Sequence, residues 1–154
     1  MAEKFEKPLV GLLMPLGFAV SAVAMPVETE ATQISPRLED GVYLYGQSPE
    51  PATLGSEYLV FEVNQGEVIG GFYMPRSSFD CFEGKVEADR LALTVIDSYD
   101  RSPHDYAVAL AASDSVASAD GSTAVPLGLQ GYHRLNSLGE IDQHILTTCK
   151  ADLN

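Results

Sequence analysis

Tryptophan is absent, cysteine occurs only twice, histidine three times, and Lys and Arg total 9 against 22 Asp and Glu in 154 residues. Each shortage closes off a class of function. Nucleic acid and anionic head groups are held by clustered cations, and a formal charge of −13 repels both. The acids are scattered, which reads as a solvated surface that favours solubility. His104, His133 and His144 form no His-x-x-x-His pair and no His/Cys cluster, so the roughly four ligands of a structural zinc are not assembled. Asp97, Asp100 and Asp105 share one loop, but without the Gly and terminal Glu of an EF-hand. They read as an acidic turn, and no metal site is expected. There is no Gly-x-Ser-x-Gly, no Walker loop and no dinucleotide fingerprint. No catalytic residue and no cofactor is therefore assigned.

Long apolar runs are also scarce, with one exception at the start. Lys4 and Lys7 precede Leu9 to Val20, and Ser21-Ala22-Val23-Ala24 follows. A basic start, a short apolar middle and a closing Ala-x-Ala form the layout of a secretory signal peptide over residues 1–24. The rival reading is a retained membrane anchor over residues 8–27, which carry no charge and are about long enough to span a bilayer. Pro15, Gly11 and Gly17 weaken a spanning helix. Both readings put the remainder outside the cytoplasm, in the periplasm or the extracellular space. Removing residues 1–24 takes away Glu3, Glu6, Lys4 and Lys7, two of each sign, so the charge balance is unchanged. The compartment also decides how Cys81 and Cys149 are read. Two thiols of one domain in an oxidising compartment pair, and the close Cys-x-x-Cys spacing of redox pairs is absent. A structural disulfide is expected, with free buried thiols as the alternative.

Residues 25–39 are polar, with two prolines and no period, and read as a flexible linker. From Asp40 the period is two. Short runs at Val42–Tyr45, Tyr58–Val63, Val68–Met74, Phe79–Val86, Leu91–Ile96, Tyr106–Ala112 and, more weakly, Pro126–Leu135 predict about seven antiparallel strands. Asn64-Gln65-Gly66-Glu67 is a hairpin turn, and Ser113–Thr123 is a small-residue loop. Gly70-Gly71 inside a strand implies a bulge or sharp bend, or a ligand close to the backbone. At the end the period changes. Ser137 and Glu140 fit a capping box, and Leu138, Ile141, Ile145 and Cys149 share one helical face. Residues 40–154 therefore read as a single mainly-β (α+β) domain, a barrel-like or strongly curved sheet with one C-terminal helix packed on it. The Cys81–Cys149 bond would clamp that helix to the sheet. Several strands are apolar on both faces, so each is covered on both sides or lines a cavity on one.

The strand rhythm resembles small calycin-like ligand-binding barrels. The stretches Gly41–Pro51, Glu57–Glu62 and Phe72–Gly84, with the Thr148-Cys149-Lys150-Ala151-Asp152 end, resemble a set of exported cyanobacterial proteins without an assigned activity. That resemblance covers roughly Gly41 to Ile96 plus the end. It implies a cyanobacterial periplasmic or secreted setting and carries over no functional residue. The expected function is non-enzymatic binding of a small ligand or a partner protein by a monomeric domain. Tyr43, Tyr45 and Tyr73 are candidates to line a cavity, and Arg76, Ser77 and Ser78 to ring it. A hydrolase-type enzyme assembled only by the fold, and a structural accessory of the envelope, are the alternatives. The enzyme reading requires His104 or His133 within reach of an acid and a hydroxyl.

Overall fold

A computed structural model describes residue 11, residues 38–112 and residues 127–154. Apart from residue 11, the expected signal segment, the linker up to residue 37 and the loop Ser113–Thr123 lie outside the described residues. Leu38, at the end of the expected linker, is buried in the core. The elements run β1 (Gly41–Gly46), β2 (Tyr58–Asn64), β3 (Glu67–Tyr73), β4 (Phe79–Val86), β5 (Arg90–Ile96), β6 (Pro103–Ala112), β7 (Leu127–Leu129), β8 (His133–Leu135) and α1 (Glu140–Leu153).

The sheet order is β7-β6-β5-β4-β3-β2-β1-β8, with every pairing antiparallel. Strands adjacent in sequence are neighbours from β1 to β7, and β8 closes back onto β1 through Leu44↔Leu135, Tyr45↔Arg134 and Gly46↔His133. The result is a nearly closed, barrel-like up-and-down sheet. The weak strand expected over Pro126–Leu135 is two strands. Gly131 holds a left-handed φ of 84°, and Tyr132 N–H bonds Leu129 O at 3.1 Å. The chain therefore turns there, which makes eight strands. The β2–β3 connection is as expected: Gln65 (φ 51°) and Gly66 (φ 82°) give the two positive φ values of a tight hairpin turn. Because the strands alternate in direction, the β1–β2, β3–β4, β5–β6 and β7–β8 connections all lie at one end of the barrel, termed here the loop end.

Register assigns the faces. Tyr43, Phe61, Phe82 and Val95 lie in one row across β1, β2, β4 and β5, with Gly70 of β3 between. Together with Tyr45, Leu59, Leu91, Leu93 and Val108 they form the inner core. The opposite face presents Leu44, Tyr58, Val60, Tyr73 and Cys81 to α1, which buries Ile145, Leu146 and Cys149 against them. The outer apolar residues of β1–β4 named here are thus covered by α1, whereas Val42 is exposed and the outer face of β5 is only half-buried. The Cys81–Cys149 disulfide joins β4 to α1 across a Cα–Cα distance of 5.3 Å, the clamp the sequence pattern predicts.

Gly70 and Gly71 sit in unbroken register with β2 and β4, so no bulge is present. A Cβ on Gly71 would stand 2.6 Å from Ile145 Cγ2 and 3.1 Å from Cys149 Sγ. One on Gly70 would stand 2.1 Å from the Val60 carbonyl oxygen. The first glycine admits the sheet's own backbone curvature, and the second admits the helix.

The start of α1 also departs from expectation. The N-cap is Gly139, not Ser137, and the N3 residue is Asp142, not Glu140. Gly139 N–H donates to Asp142 Oδ2 at 2.8 Å, while Tyr73 Oη donates to Asp142 Oδ1. The two donors draw Asp142 inward, and Ile141, one residue away around the helix, is 51% exposed. The buried stripe is therefore Asp142, Ile145, Leu146 and Cys149.

Candidate functional site

The six residues expected around a cavity fall in three places. Tyr43 and Tyr45 point into the barrel, stacked with Phe61 at interplanar angles of 12° and 11°. Tyr43 Oη donates to Glu39 O at 2.6 Å, and Tyr45 Oη reaches across to Leu127 O at 3.4 Å. The Arg134 guanidinium lies 4.2 Å from the Tyr43 ring centre, a cation–π contact at the β8–β1 seam. Burial raises both phenols above the ordinary value, and Arg134 partly opposes it. Tyr73 lies on the other face, under α1. Burial first, and then the hydrogen bond to Asp142, hold its phenol far above the ordinary range. All three tyrosines are buried, and each hydroxyl donates one hydrogen bond within the protein.

Arg76, Ser77 and Ser78 are exposed, in the β3–β4 turn at the loop end. Ser77 N–H bonds Met74 O at 3.0 Å, and Arg76 takes a left-handed φ of 67° that a non-glycine residue rarely adopts. Ser78 Oγ donates to Tyr99 Oη at 3.2 Å, linking this turn to the β5–β6 loop. Tyr99 escaped the sequence reading because it lies within the acidic run. At 85% exposure it is the most exposed large apolar side chain among the described residues.

The acidic run is a turn, as expected. Asp97 Oδ1 accepts the N–H groups of Tyr99 (2.7 Å) and Asp100 (3.0 Å). Asp100 Oδ1 accepts Ser102 N–H at 2.8 Å and also its hydroxyl. Among the described residues, no group of three His, Cys, Asp or Glu is placed to hold a metal. The loop together with the start of β6 does supply the acid, hydroxyl and histidine that the enzyme reading requires, since Ser102 Oγ lies 2.9 Å from His104 Nε2. The order is wrong for nucleophilic catalysis, in which the base stands between nucleophile and acid. Here the serine stands in the middle and gives its proton to Asp100. The bonds from Ser102 lower the Asp100 pKa, making it a poorer base, and the group lies in open solvent. His133 is exposed on β8, and His144 is exposed on α1, edge-on to Phe79 at 6.3 Å.

The inner core answers the cavity question at its own level. Leu59, Phe61, Phe82 and Leu91 are 0% accessible. A side chain lining a space large enough for one water would retain accessible surface, so no ligand chamber adjoins these four. Three open depressions lie among the described residues instead. The largest, about 690 Å³, runs over the outer face between β2–β5 and the end of α1, past Glu62, Ile69, Glu83, Thr94 and Lys150. Lys150 Nζ and Glu62 pair across it at 2.8 Å. A second, about 300 Å³, adjoins the disulfide beside Phe79, Ile96 and Thr148, with the Arg101–Asp152 pair (2.7 Å) at its edge. A third, about 320 Å³, lies over β5 and β6. Among the described residues no helix is long and apolar enough to cross a membrane. No protein-family model, curated protein or solved structure matches this chain.

Proposed function

We propose that the chain is exported and acts as a monomeric binding domain that engages its partner through its outer surface, without catalysing a reaction. The observation that carries this reading is the filled inner core, with Leu59, Phe61, Phe82 and Leu91 at 0% accessibility. A barrel that stores a small ligand keeps a hollow middle lined by apolar side chains. Here Tyr43, Tyr45, Phe61 and Phe82 pack on one another in the middle, and the three depressions found among the described residues are open to the outside. The buried disulfide supports export, because such bonds persist in oxidising compartments. It joins the signal-like residues 1–24 in pointing to the periplasm or the cell exterior, and the cyanobacterial setting belongs to the same proposal. The hydrolase alternative is disfavoured by the order and exposure of Asp100, Ser102 and His104.

Native mass spectrometry of the protein recovered after export tests the reading. The expected result is a bare monomer that begins near Met25, carries no stoichiometric small molecule and has no free thiol. A small molecule released only on unfolding would overturn surface binding. Full-length protein in the cytosol with two free thiols would overturn export.

A further inference from the structure

The two edges of β6 are paired unequally. Toward β5 its register runs over residues 103–109. Toward β7 it runs only over residues 110–112, extended by the Gln130 N–H bond to Ala109 O at 2.8 Å. Successive residues of a strand send their backbone groups to opposite sides. Leu110 N–H bonds Asp89 O, next to β5, and Ala109 O accepts on the β7 side, so the odd-numbered residues of β6 face β7. The N–H and C=O of Asp105 and Ala107 therefore point to an edge that no strand covers among the described residues. Exposure tells the same story. His104, Asp105, Tyr106 and Ala107 are exposed in succession, where a half-buried strand would bury alternate residues. Tyr106 is the telling one. It sits opposite Leu93 of the inner core and packs edge-on to Phe72 at 5.4 Å, yet it stays 47% exposed. An inward-facing ring is half bare where the strand beside it is missing. On the outer face, the depression of about 320 Å³ adjoins this same edge, between Ala92, Thr94, Asp105 and Ala107.

Resting on the surface-binding reading, we propose that this edge receives an extended segment of a partner protein as an added strand, with an apolar residue opposite Tyr106 and a basic residue opposite Asp105. In this mode main-chain bonds, here to Asp105 and Ala107, supply affinity, and alternate side chains choose the partner. The partner residue opposite Tyr106 faces inward and covers the bare ring. Its neighbours face outward, over the depression. The small side chains of Ala92 and Ala107 leave room there for a long methylene stem. Asp105 forms no ion pair among the described residues and meets the cation at the end of that stem. The net charge of −13 draws a basic segment. It also repels a second copy, whose β6 would bring its own Asp105 to the edge. A charge on an open edge strand guards against such self-pairing.

The test is residue-resolved NMR of the full, disulfide-bonded chain, reading amide shifts and hydrogen exchange against the peptide Thr-Val-Lys-Phe-Lys-Val-Thr. Two controls carry Glu for Lys, or N-methyl groups on both Lys amides, which removes the donors that would face β6. At saturation the Asp105 and Ala107 amides should exchange at least about tenfold more slowly, while those of Tyr106 and Val108, already turned to β5, change little. Neither control peptide should protect them. Ala107→Pro removes an outward N–H, which an edge strand tolerates, and Asp105→Lys reverses an exposed charge. Each should weaken binding at least about tenfold and change the urea midpoint little. Unchanged affinity in either variant, equal binding of either control peptide, or no protection at Asp105 and Ala107 would overturn the proposal. Shifts confined to the groove at Glu62 and Glu83 would overturn the location and leave surface binding standing. Shifts at Leu59, Phe61 and Phe82 without any at β6 would overturn surface binding itself. Protection of Asp105 and Ala107 that rises with protein concentration, without peptide, would make a second copy the occupant and also overturn it.

Discussion

Gly71→Ala is expected to destabilise the domain although it replaces glycine inside a strand. On backbone grounds alone the change is favourable, because glycine costs a strand interior about 0.5–1 kcal/mol relative to alanine. Gly71 has no left-handed φ to set against that gain. The opposing effect is contact. The new methyl would lie 2.6 Å from Ile145 Cγ2 and 3.1 Å from Cys149 Sγ. Neither atom is free to withdraw, since Ile145 is 1% exposed and Cys149 is bonded to Cys81 on the adjacent strand. Forcing a methyl into a packed core costs about 1–3 kcal/mol, so the net loss should be roughly 1–2 kcal/mol. In urea that is a fall in midpoint of about 1 M or somewhat less, at unchanged slope. A double-mutant cycle locates the cause: Ile145→Leu removes the offending Cγ2, and Gly71→Ala should cost measurably less in that background. A midpoint that rises in the single variant, or a cost that Ile145→Leu leaves unchanged, would show that α1 does not press on the sheet at Gly71.

Three further outcomes follow from the same packing. Reducing Cys81–Cys149, which are 68 residues apart, should cost roughly 4 kcal/mol in the chain-entropy account, read as a lower urea midpoint with and without dithiol reductant. Tyr73→Phe leaves the buried Asp142 one donor short and should cost about 1–3 kcal/mol, whereas Tyr99→Phe should change the midpoint little. The phenols of Tyr43, Tyr45, Tyr73 and Tyr132 are all raised in the folded state from 10.0. The unfolded chain therefore ionises first, so the stability these groups provide is whole below pH 10.0 and is lost as pH climbs through the raised values. Denaturation midpoints measured alongside near-ultraviolet phenolate absorbance should both show it.

The period-two runs were enough to locate seven strand regions, because half-buried strands leave alternation in the sequence. The Cys149 stripe predicted the clamp because a helix face repeats every three to four residues. What escaped were features decided by distant partners. The orientation of Asp142 depends on Tyr73, 69 residues away, and no local pattern announces that an aspartate will displace an isoleucine from the buried face. Tyr43, Tyr45 and Tyr73 alternate with other apolar residues in the same way whether a face lines a chamber or fills one. The difference lies in how tightly the far side of the barrel closes. The two glycines at 70 and 71 raised the right question, and only the close approaches of Val60 and Ile145 answer it.

The closure of β8 on β1 sets how the barrel can form and open. Every other pairing joins strands that are neighbours in sequence, so hairpins can form at small entropic cost. Leu44↔Leu135 instead brings together the first and last strands of the chain through only three register pairs. Loop-closure entropy makes such a contact slow to form, and a short ladder makes it cheap to lose. The seam should therefore close late in folding and open early in local fluctuations, with the β1–β8 amides exchanging hydrogen faster than those of β2–β4. When it opens, β1 becomes a free strand edge able to pair with another chain, so the route to aggregation runs through six residues at one seam while the disulfide holds the opposite wall in place.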